Sequence, residues 1–154
     1  MQFDDNGYLQ PYKAITSNVN EIVNEFCFTE QRTLLYQNFV ALIAELQTLL
    51  GIDFEVWLNG SFISKKPVPN DIDLVIFVDF AVFEKVEKEL AKFRTLEYRK
   101  EKGLHCFFEP VYPVQHKYFS NYEMNQKQWL FDFTRKLDKR TNKYLSKGLL
   151  TINI

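Results

Sequence analysis

The chain has 154 residues, 46% hydrophobic and 25% charged, enough for one domain with a real core and too few for two. With a formal net charge of −1, bulk charge does not announce a nucleic-acid binder. Two cysteines (Cys27, Cys106) and two histidines (His105, His116) are too few and too scattered for a disulfide framework or a structural zinc site.

Taken in order, the opening "MQFDDNGYLQP" has no basic or apolar leader pattern, and no apolar run approaches a membrane span. A soluble cytoplasmic protein is the expectation. Residues 1–28 read as an N-terminal arm: turn and extended chain, then "NVNEIVNEFCF" as a short helix or a packed extension. Residues 29–50 carry the clearest helical pattern, with Thr29 as N-cap and Gly51 just past the end. Phe39, Leu42, Ile43, Leu46, Leu49 and Leu50 make its apolar face.

"DFEVWL" (53–58) alternates as a strand does. "DIDLVIFV" (71–78) is nearly all apolar after its carboxylates, as in a strand covered on both faces. "AVFEKVEKELAKF" (81–93) predicts an amphipathic helix. "TLEYRKEKGLHCFFEPVYP" reads as a hairpin, with strands near 95–100 and 104–111 and its turn at Lys102-Gly103. "SNYE" (120–123) has the capping-box form and opens a third helix, with Trp129, Leu130, Phe133 and Leu137 expected inside. The run 135–147 reads as a basic linker, either a solvated face or a docking strip for a polyanion such as an RNA end. "GLLTINI" closes the chain as a strand. The expected fold is a single α/β (α+β) domain over 1–154, a small mixed sheet backed by helices, with 29–154 as its core.

The chemistry concentrates in "NGSFISKKPVPNDIDLV". Side chains at i and i+2 of a strand share a face, so Asp71 and Asp73 project together, their Cα atoms roughly 7 Å apart. Two carboxylates entering a buried strand repel each other and lose hydration. A divalent cation is the simplest partner, and Mg²⁺ takes one or two carboxylates together with substrate phosphates. Ten residues upstream, Gly60 lets backbone approach a ligand closely and Ser61 adds a hydroxyl. Backbone N–H groups at such a turn make an anion site, and Lys65 and Lys66 can neutralise a polyphosphate tail.

These residues resemble the signature of polymerase-beta-type nucleotidyltransferases: Gly-Ser, a spacer of this length, then Asp-hydrophobic-Asp-hydrophobic on a strand. The motif spans 59–75. The short chain is similar to the minimal nucleotidyltransferases, and "FDDNGYLQP", "LHCFFEPVYP" and "KGLLTINI" resemble a bacterial family of such domains of unknown function. The resemblance implies the nucleotidyltransferase fold. It also implies Mg²⁺-dependent transfer of a nucleoside monophosphate from an NTP to a hydroxyl on a protein, as in toxin–antitoxin systems, or on an RNA end. It implies phosphates held at Gly60 and Ser61, and two Mg²⁺ ions, replaceable by Mn²⁺, on Asp71 and Asp73. The family's third carboxylate is expected at Glu109, with Glu97 second. His105 in that place instead would imply weakened or absent catalysis. Lys65 or Lys66 would stand for the arginine that many minimal members carry after the Gly-Ser. The alternative is a catalytically inactive nucleotide- or partner-binding module, for example an antitoxin-like component.

Overall fold

Strand β5, Ile72–Asp79, is buried without interruption from Leu74 to Val78, and the fold is arranged to cover it. The computed structural model describes residues 1–138 and 141–154. Two short strands, β1 (Gln2–Phe3) and β2 (Leu9–Gln10), pair antiparallel and are followed by β3 (Ala14–Thr16). Helix α1 (Val19–Phe26) is capped by Asn18, whose side chain accepts from the N–H of Glu21. Helix α2 (Glu30–Leu50) begins at Thr29, whose hydroxyl accepts from the N–H of Arg32, and ends at left-handed Gly51, as its sequence predicts. Then come β4 (Glu55–Asn59), β5, α3 (Phe80–Leu90), a 3₁₀ turn (Ala91–Arg94), α4 (Leu96–Lys102), β6 (Leu104–Val111), α5 (Phe119–Phe133), β7 (Arg135–Asp138), β8 (Lys143–Ser146) and β9 (Leu149–Asn153).

The result is a mixed α/β fold built on a five-stranded sheet of order β3-β9-β4-β5-β6. Strand β4 runs antiparallel to both β5 and β9, while β3 is parallel to β9 and β6 is parallel to β5. Opposite faces of β5 bury alternate residues. On one, Phe77 meets Trp57 and Tyr122 of α5; the other joins the core of Phe39, Leu42, Leu46, Leu90, Phe93 and Phe108. Among the described residues, no helix is long and apolar enough to cross a membrane.

The structure corrects three expectations. Residues 96–102 are a helix, not the first strand of a hairpin: Thr95 caps it by accepting from the N–H of Tyr98, and Gly103 (φ +65°) is its left-handed terminus. The Lys-Gly pair therefore ends a helix, and the α3–α4 crossover makes β6 parallel to β5. Helix α5 starts one residue before Ser120, with no side-chain cap, so the capping-box pattern goes unused; Leu130 and Leu137 are exposed, the latter on β7. The basic run is a two-stranded antiparallel ribbon, β7–β8, rather than a linker, and its positions 139 and 140 lie outside the described residues.

Candidate functional site

The sheet register brings the sequence motif together. Asn59, the last residue of β4, pairs with Asp73 on β5, and Asp73 pairs with His105 on β6. Gly60 turns the chain away at φ +87°. A Cβ there would stand 2.5 Å from Oδ2 of Asp73, so only glycine lets the turn close against that carboxylate. The other oxygen, Oδ1, lies 3.0 Å from Nδ1 of His105. Asp71 immediately precedes β5, and its Oδ2 accepts two bonds from Arg99 of α4, from Nε at 2.8 Å and Nη2 at 2.5 Å. Single ligand atoms of Asp71, Asp73 and His105 all lie within 4.8 Å of one another.

The loop after Gly60 is held from behind by Arg32, which is completely buried in the first turn of α2. Its guanidinium donates to the carbonyls of Phe26, Ser61, Phe62, Ser64 and Lys66, at 2.6–3.2 Å. Burial pulls its pKa down to about 10, and its charge is met by carbonyl dipoles and by the Phe28 ring 4.2 Å away. Ser64 Oγ donates to the Ser61 carbonyl, and the N–H of Lys65 donates to the carbonyl of Gly7. The N-terminal turn thereby becomes one wall of a cleft.

That cleft, about 730 Å³, is lined by Asp5, Asn6, Gly7 and Tyr8, by Gly60, Ser61, Ser64, Lys65 and Lys66, by Asp71 and Asp73, and by Lys136 and Lys147. All four N-terminal motif residues of the sequence expectation (Gly60, Ser61, Lys65, Lys66) and both aspartates thus share one cavity. Lys65 is also committed elsewhere, 2.7 Å from Glu25 and 4.0 Å above the Phe3 ring.

Glu109 is not with them. It pairs with Phe77, four residues along β6 from His105, roughly 13 Å at the usual strand rise. Its carboxylate accepts from Trp129 Nε1 at 2.9 Å and Asn125 Nδ2 at 3.1 Å, which makes it a brace between β6 and α5. Glu97, the second choice, is exposed on α4. The group that the register places beside the aspartates is His105.

Two site residues escaped sequence reading. The sequence reading places Arg99 in a strand; as part of a capped helix ending at Gly103, it falls one turn before the start of β6. Lys147 looked like one more cation of a solvated run, yet it is more than nine-tenths buried. Burial pulls its pKa from 10.5 to about 8, against the opposing pull of the Asp73 carboxylate.

Two features suit a divalent cation here. The donor set is two carboxylate oxygens and an imidazole nitrogen, and the Gly60 cradle leaves room against Asp73. Asn59, buried beside them, has a side-chain oxygen with no hydrogen-bond partner among the described residues. Such a set fits one Mg²⁺ or Mn²⁺ and, through its nitrogen, also softer metals.

No curated protein and no solved structure matches the chain. One family profile does, across residues 1–153. The chain therefore belongs to DUF6932, a family of unknown function.

Proposed function

We propose that this chain is a metal-dependent nucleotidyltransferase that moves a nucleoside monophosphate from an NTP to a hydroxyl acceptor on a protein or an RNA end. One observation carries the reading: Asp71 and Asp73 open onto the same cleft as Gly60 and Ser61, with the glycine turn closed directly against the Asp73 carboxylate. Lys65, Lys66, Lys136 and Lys147 give that cleft the cations a triphosphate needs. Mg²⁺ or Mn²⁺, when bound, supplies charge neutralisation for the phosphates and acidifies a coordinated hydroxyl. Asp71 and Asp73 are the residues that would hold it, with His105 beside them. His105 fixes the orientation of Asp73, and Arg32 fixes the loop that carries Ser61 and Lys66. The chain's own contribution is positioning and electrostatics.

A second reading has its own support. Arg99 already occupies one oxygen of Asp71, and a histidine stands where the third carboxylate of an active enzyme is expected. Both features favour a module that binds a nucleotide or a partner without turning it over, antitoxin-like. One experiment separates the two. The protein is incubated with each α-labelled NTP, Mg²⁺ or Mn²⁺, and a lysate supplying acceptors. Label transfer that disappears in Asp71→Asn and Asp73→Asn supports the enzyme. NTP binding with no transfer under either metal supports a nucleotide-binding module, and no NTP binding at all removes both nucleotide readings and leaves the partner-binding module.

A further inference from the structure

Lys147 has no partner for its charge. Its side chain lines the cleft, it is more than nine-tenths buried, and no hydrogen bond or ion pair reaches its ammonium among the described residues. An unpartnered ammonium in such surroundings destabilises a fold, and a methionine of similar length would fill the same space without that cost. The backbone around it is nevertheless firmly held. The N–H of Lys147 donates to the Thr134 carbonyl at 2.8 Å, and the N–H of Gly148 donates to the Leu9 carbonyl at 2.7 Å. A Cβ on Gly148 would meet the Pro11 carbonyl oxygen at 2.8 Å, so no larger residue fits next to the lysine. Lys147 is therefore launched from a fixed point into a cavity whose Asp73 carboxylate attracts its ammonium without bonding to it. Lys136, on the neighbouring β7, reaches the same cleft with an exposed side chain, its ammonium 5.2 Å from the Tyr8 ring.

We propose that Lys136 on β7 and Lys147 just after β8 form an anion subsite that takes the polyphosphate end of the ligand. The assignment rests on the nucleotide reading of the cleft, and it adds a second cationic wall to the Gly60–Lys66 loop. A ligand with several negative charges is favoured because four lysines share this one cavity with the aspartates. The buried lysine gives a desolvated contact, where a hydrogen bond to a charged oxygen is strongest, and Lys136 adds an exposed, salt-sensitive one.

The test is calorimetric titration of sodium tripolyphosphate into the full chain in EDTA, for the wild type, Lys147→Met and Lys136→Met, with AMP titrated in parallel. The wild type is expected to bind tripolyphosphate. Lys147→Met is expected to lose at least tenfold in affinity, and Lys136→Met two- to fivefold, with less than threefold effects on AMP. Lys147→Met should unfold at or above the wild-type temperature, because it removes an unpaired buried charge. Unchanged tripolyphosphate affinity in Lys147→Met overturns the subsite, as does the absence of binding to the wild type. A fall of the Lys147→Met midpoint by about 5 °C or more also overturns it, since it would mark the lysine as structural. Tripolyphosphate carries no base, sugar or transferable nucleotide. A wild type that binds it through Lys147 yet never transfers label keeps the subsite and loses the enzyme.

Discussion

Arg32 and Lys147 are both cations with little exposed surface, and they are accommodated in opposite ways. Arg32 spends its guanidinium donors on five backbone carbonyls and lies against an aromatic ring. Lys147 has fixed backbone and an ammonium that, among the described residues, meets only the more distant charges of Asp73 and Lys136. The planar fork of an arginine suits a permanent network, and the compact ammonium of a lysine suits a partner that arrives and leaves. Burial alone therefore does not mark a charged residue as structural; the satisfaction of its donors does.

The comparison breaks first at Arg32. Arg32→Ala removes a donor from five carbonyls, of which that of Ser61 keeps the Ser64 hydroxyl, and is expected to cost about 4 kcal/mol, read as a lowered urea midpoint. A cost below about 1 kcal/mol would mean that the loop holds its shape without the guanidinium. Next in size is the pH response of Lys147. Its pKa in the folded protein, about 8, lies below the ordinary 10.5. Below pH 8 folded and unfolded chains both carry the proton, and the folded one bears the cost. Between pH 8 and 10.5 the folded state releases it first, so stability rises with pH, by about 3 kcal/mol over the window. In EDTA, wild type minus Lys147→Met should show that rise, and a flat difference would place the ammonium in water.

Smaller effects sharpen the picture around the aspartates. Arg99→Ala frees Oδ2 of Asp71 and should raise Mn²⁺ affinity about tenfold, near 1.4 kcal/mol, in a metal titration. Weaker Mn²⁺ binding would instead make Arg99 a support for the site. The smallest change is expected from Glu109→Gln, which keeps an acceptor for Trp129 and Asn125. It should shift stability by under about 1 kcal/mol and leave Mn²⁺ affinity unchanged; a loss of metal would bring Glu109 back as a ligand.

The parts of this molecule legible in its sequence are those set by local rules. Thr29 and Gly51 bracket α2 because cap chemistry is a property of neighbouring residues. Asp71 and Asp73 announce themselves through the two-residue period of a strand entry. The segment 95–103 misled because Gly serves both hairpin turns and helix ends, and only the Thr95 cap at its other end distinguishes them. Glu109 was misplaced because strand period gives its face and says nothing of distance along the strand, which the β5–β6 register decides. Lys147 is illegible for a different reason: its backbone is held by Thr134 and that of Gly148 by Leu9, while its side chain shares a cleft with Gly60, Asp71 and Asp73, so no window of sequence contains its surroundings.

Because Arg32 grips the Gly60–Lys66 loop by its carbonyls, the mould of that loop is independent of the letters it displays. Phe62 and Ile63 are tied into the core, but Lys65 and Lys66 face outward from a backbone already secured. Substitutions at 65 and 66 therefore leave the path of the loop unchanged, with the ion pair between Lys65 and Glu25 as their one scaffold cost.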